Sequence, residues 1–175
     1  MGLTLTLCSL LACAGTAQAC GGDLRGPVVE HGRSAGGQVW SQIACAVGRG
    51  HLDVEVSFPG PGGTDAGGGM LVPVPSSRRS LFVDAPGVGL GRRRSEDVLD
   101  GVAFRDVVGL RLVFRTGPPR MARTVRAPAS ERRRFRYVRG LRFFVYFFAD
   151  SRGLPWRVCG IDARGSQTGC RPVTG

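Results

Sequence analysis

The chain has 175 residues, of which 42% are hydrophobic and 21% charged, a composition that excludes global disorder and suits one folded domain. Its 24 basic residues are all arginine and face 13 acidic ones, for a net charge of +11. Without any Lys a Walker-type phosphate loop is excluded, without any Asn there is no N-glycosylation acceptor, and the basic balance favours polyanionic partners.

The absent residues have AT-rich codons, and the abundant Gly, Pro and Arg have GC-rich ones. Codon usage therefore accounts for part of the arginine excess.

Residues 1–19 read as a secretory signal peptide. Residues 3–14 form an apolar stretch of the length of a leader core, too short to span a bilayer. Ala17-Gln18-Ala19 supplies the small-x-small pattern before a cleavage site, which leaves residues 20–175 as a single domain with no transmembrane span. The region ahead of the apolar stretch carries no positive charge. Leu10-Leu11-Ala12-Cys13 and Ala17-Gln18-Ala19-Cys20 loosely resemble a bacterial lipobox, which would anchor the chain through a lipid on Cys13 or Cys20.

Cleavage leaves Cys20, Cys45, Cys159 and Cys170. An even set in an exported chain implies two disulfides. Cys159 and Cys170 flank a turn and form the natural local pair, leaving Cys20 with Cys45. A zinc site is disfavoured because no Cys-x-x-Cys occurs.

Short runs rich in β-branched and aromatic residues then alternate with Gly/Pro/Asp turns, the pattern of an antiparallel β protein. Residues 39–47 and 52–58 form a first pair joined by Gly48-Arg49-Gly50, and Val54, Val56 and Phe58 alternate with Asp53, Glu55 and Ser57. Residues 60–69 read as a flexible loop. Residues 70–75 and 81–84 read as short edge strands, and 86–94 as a second loop. Ser95-Glu96-Asp97 fits the cap of one helical turn ending at Gly101, and Asp100-Gly101 equally fits a tight hairpin turn.

Strands follow at 107–115, 121–126 and 135–138. Residues 141–149 are apolar on both faces, which places them in mid-core. With turns at 150–153 and 162–165, residues 141–149, 155–161 and 167–171 predict a three-stranded meander. Trp40 and Trp156 are expected in the core. Eight or nine such strands suggest an all-β fold: an antiparallel β-sandwich of immunoglobulin-like type with long Gly/Pro loops. The resemblance is to the sandwich class, since the Cys–Trp–Cys spacing of true immunoglobulin domains is missing.

Charge is distributed unevenly. Residues 20–75 sum to −2, whereas 76–175 sum to +13. Residues 111–142 hold eleven arginines against Glu131 alone. Within them Arg132, Arg133, Arg134, Arg136 and Arg139 are the candidate anion-binding residues. Arginine forks take phosphate or carboxylate bidentately. Strand alternation would put Arg134 and Arg136 on the solvent face and Phe135 and Tyr137 on the core face. Export favours an anionic polysaccharide or lipid surface as partner over nucleic acid.

No catalytic, metal or cofactor signature emerges. His31 and His51 are the only histidines, and no Gly-x-Ser-x-Gly elbow accompanies them. Glu96, Asp97, Asp100 and Asp106 balance nearby arginines more readily than they bind Ca²⁺. The sequence points to a secreted or envelope-located, non-catalytic β-sandwich module with an arginine-rich contact face. A small secreted hydrolase using His31 or His51, and a purely structural surface domain, are the alternatives.

Overall fold

The computed structural model describes residues 26–34, 37–59, 65–85, 87–88, 96–148 and 153–173. The expected leader, its lipobox cysteines, Cys20, and most of the loops expected at 60–69, 86–94 and 150–153 lie outside the described residues.

The fold is all-β, with three antiparallel four-stranded sheets. The first contains β1 (Val28–Arg33), β2 (Val39–Val47), β3 (His51–Pro59) and β4 (Asp65–Pro73), in that order. The β2–β3 hairpin is as expected, with Gly48 and Gly50 at φ 57° and 84°, where a side chain would be strained. The expected loop at 60–69 is a strand from Asp65 onward, paired with β3 along its whole length.

The middle sheet runs β10 (Leu141–Phe148), β7 (Glu96–Phe104), β5 (Leu81–Asp84), with the short β6 (Gly87–Val88) also on β7. Neither a helical turn nor a hairpin forms at residues 96–101. Asp100 and Gly101 sit inside a continuous strand because β7 is flanked on both edges and packed on both faces. A Cβ on Gly101 would lie 2.2 Å from the Phe82 carbonyl oxygen and 2.3 Å from the Phe144 ring, so close packing, not a turn, requires that glycine.

The third sheet runs β12 (Gln167–Pro172), β11 (Arg157–Ile161), β8 (Gly109–Val113), β9 (Arg120–Arg123). β11 and β12 form the expected C-terminal hairpin, with Cys159 and Cys170 directly opposite each other and bonded at 2.11 Å. Cys45 is also disulfide-bonded. β10 does not join this hairpin as a meander. It pairs with β7, while β8 takes the place beside β11.

The reason lies in the two-sided hydrophobicity of β10. Phe144 and Phe148 pack with Leu110, Leu112 and Val158 of the third sheet. Leu141 and Phe143 pack with Ala44, Leu52 and Val54 of the first, and Val145 packs with Trp40, Val56 and Phe58. Side chains alternate across a strand, so the middle sheet has a core on each side. Trp40 is buried as expected. Trp156 is instead 37% exposed and lies under the Arg157 guanidinium, 4.1 Å from its ring centroid.

A polar bridge crosses the first of these cores. Gln42 Nε2 lies 3.3 Å from Asp100 Oδ2 and 3.3 Å from the Phe144 carbonyl. Burial, then the charge on Asp84, hold the Asp100 carboxyl well above its ordinary range against the Gln42 hydrogen bond.

Candidate anion-binding surface

The five candidate arginines do not lie on a strand. Residues 129–134 form a short helix, α1 (Ala129–Arg134), followed by a single 3₁₀ turn, Arg136–Val138. A run of three arginines with Ala, Ser and Glu has good helix propensity, and nothing pairs with it as a strand. The expected separation of faces nevertheless arises by another route. Phe135 and Tyr137 pack together at 5.9 Å between ring centroids and join the core with Val138 and Ala127. The Tyr137 hydroxyl donates to the Ala44 carbonyl at 3.1 Å, tying this corner to β2.

The arginines divide into two roles. Arg139 Nε donates to the Arg132 carbonyl at 2.7 Å and its Nη2 to the Arg133 carbonyl at 3.2 Å. These are carbonyls that the end of α1 leaves without helical partners, so Arg139 closes the helix terminus. Arg132 Nε donates to the Ala127 carbonyl at 3.0 Å. Arg133, Arg134 and Arg136 are exposed and paired with no carboxylate among the described residues, and Arg134 rests over the Phe135 ring at 5.0 Å. Arg132, Arg133 and Arg139 line a shallow concavity with Ala129.

The third sheet is also rich in arginine. Its strands carry Arg111, Arg120, Arg123, Arg157 and Arg171 and no acidic residue. Arg111, Arg123 and Arg157 are exposed, and Met121, at 66% exposure, lies opposite Arg111. The strands of the first sheet carry Glu30, Asp53, Glu55 and Asp65 against Arg33.

A second arginine cluster lies in a cleft of about 280 Å³ where four connections converge. Arg78 comes from the β4–β5 connection, Arg105 from the β7–β8 turn, Arg126 from the segment after β9, and Arg164 from the β11–β12 turn. Asp106 receives Arg78 Nε at 2.8 Å and Arg105 Nε at 3.7 Å. Asp162 Oδ1 accepts the Arg164 and Ser166 backbone N–H groups at 2.9 Å each, which fixes the turn. Beside the cleft, Arg142 donates from Nε to the Thr124 hydroxyl at 2.6 Å and from Nη2 to the Thr124 carbonyl at 2.7 Å. Burial, and then the positive charge of Arg126, push the Arg142 guanidinium below its usual value.

The sequence reading covered Arg126 within its arginine-rich run but not Arg78, Arg105 or Arg164. These are isolated in sequence and meet only through strand pairing. A sequence signal existed in their placement, each at a turn between predicted strands.

His31 and His51 are both exposed and bonded to no carboxylate among the described residues. They lie opposite Ser41 and Val47 of β2, six positions apart, which is about 20 Å along a strand. The structure therefore does not bring them together. Among the described residues, no group of three or more His, Cys, Asp or Glu side chains is arranged to hold a cation, and no helix is long and apolar enough to cross a membrane.

Compared with protein-family models, curated proteins and solved structures, the chain matches none of them.

Proposed function

We propose that this chain is an exported, non-catalytic binding module that contacts anionic polysaccharide or lipid surfaces through its arginine-bearing corner. The observation that carries this reading is the state of Arg133, Arg134 and Arg136: exposed, unneutralised, and projecting from a corner whose aromatic residues are anchored in the core. The strands of the third sheet support it, because they carry arginines and no acidic residue. A disulfide between β11 and β12 is compatible with an oxidising extracellular or envelope compartment.

Affinity of this kind arises from exposed charge in high dielectric, so it weakens as salt shortens the screening length. Retention on heparin and on vesicles containing anionic lipid should fall steeply with salt. The triple variant Arg133→Ser, Arg134→Ser, Arg136→Ser should lose most of it while melting like the parent. Arg132 and Arg139 are left in place because their guanidiniums hold backbone carbonyls. Retention unchanged in the triple variant would overturn the proposal.

A further inference from the structure

The cleft bounded by Arg78, Arg105, Arg126 and Arg164 differs in kind from the corner. It is built from four separate connections, and its charges are unevenly satisfied. The two carboxylates are committed. Asp106 holds Arg78 and Arg105, and Asp162 holds its own turn. Neither Arg126 nor Arg164 has a carboxylate partner among the described residues. Thr124 fixes Arg142 at two points, and burial, then the charge of Arg126, push its guanidinium below its usual value. Thr124 is itself fixed by a 2.6 Å bond from its hydroxyl to the Val107 carbonyl.

Arginines gathered in one cleft in excess of its carboxylates are an arrangement that an anion relieves. Four guanidiniums against two carboxylates leave two positive charges in the cleft. The arginines reach it from four different connections. A tetrahedral oxyanion offers acceptors in several directions, whereas a carboxylate offers them in one plane. The volume lies at the lower end of ligand sites and suits a compact group in place of a length of polymer.

We propose that this cleft is a discrete binding site for a tetrahedral oxyanion, a phosphate or sulfate group on a small ligand, with Arg126 and Arg164 as its direct ligands. Arg78 and Arg105, ion-paired with Asp106, line the same cleft. The site is separate from the corner that carries the functional reading above and stands or falls independently of it.

The test is calorimetric titration of the full chain with inorganic phosphate, inorganic sulfate and acetate at low, matched ionic strength. One site per chain is expected for phosphate or sulfate, whichever is preferred naming the source, with acetate clearly weaker. Arg126→Ser and Arg164→Ser should each weaken binding by about tenfold or more, as loss of a charged hydrogen-bond donor does. Arg126→Lys, which keeps the charge but not the fork, should fall between. Phosphate should raise the melting temperature of the parent and no longer raise that of Arg126→Ser. The corner triple variant should bind phosphate normally even if it loses heparin. No saturable binding, equal binding of acetate, or parallel loss in cleft and corner variants would each overturn the proposal.

Discussion

Gln42 Nε2 lies 3.3 Å from Asp100 Oδ2, and both residues are wholly shielded from solvent. Gln42 is thereby the donor that makes a carboxyl group tolerable between the first and middle sheets. Removing it takes away the side-chain donor to Asp100 and opens a void. Gln42→Ala should cost roughly 3 kcal/mol of stability, measurable by urea denaturation.

Asp100 itself should govern stability at higher pH. Its folded-state value is raised, so its contribution is intact below the ordinary carboxylate value near 3.8 and is lost as pH rises toward the folded value. Asp100→Asn keeps the shape and removes the titration. Its melting temperature should exceed the parent's increasingly as pH is raised. A constant difference across pH would refute this assignment.

Glu30 gives a second pH dependence, in a different window. Its carboxyl is pushed from 4.5 to about 7 by burial on β1, and Oε2 has no hydrogen-bond partner. Its stabilising contribution is complete below about pH 4.5 and lost by the time pH passes about 7. Glu30→Gln should flatten the stability profile between pH 5 and about 7.5, read by denaturation midpoints at each pH.

At Gly101 even one methyl group meets backbone and an aromatic ring together. Gly101→Ala should cost roughly 1–3 kcal/mol or more, because strand β7 cannot yield without disturbing β5 and β10. Gly140, whose added Cβ would meet nothing within 4 Å, provides the control: Gly140→Ala should change the melting temperature little.

Reduction of the Cys159–Cys170 bond frees a loop with a sequence separation of 11. The entropic effect for such a loop is roughly 3 kcal/mol. The Cys159→Ser, Cys170→Ser variant should melt correspondingly lower than the parent, and the difference should vanish in reductant.

Much of the layered β architecture was legible in the sequence. The β2–β3 hairpin and the β11–β12 hairpin follow from alternation bounded by Gly and Asp turns, and the two-sided character of β10 identified the centre of the molecule. Errors arose where local signals competed with packing. Asp100-Gly101 carries the strongest turn chemistry in its neighbourhood, yet it lies mid-strand because Gln42 and the Phe144 ring occupy the space beside it. Phe135 to Val138 alternates like a strand but closes a helical corner, since no neighbouring strand edge receives it. The partner of β10 was misassigned because sequence adjacency favours a meander, while a strand apolar on both faces needs a layer on each side. The arginine cleft was invisible for a simpler reason: its members are far apart in the chain and only the topology assembles them.

The position of β10 and β7 has a consequence for how the protein comes apart. The clusters against the first and third sheets share these strands as a common wall. Neither outer sheet can retain its packed inner face once that wall opens. Unfolding should therefore be a single concerted event in which probes on β3 and on β11 report the same midpoint. The slowest-exchanging amides should lie on β7 and β10, far from the surfaces that bear the charge.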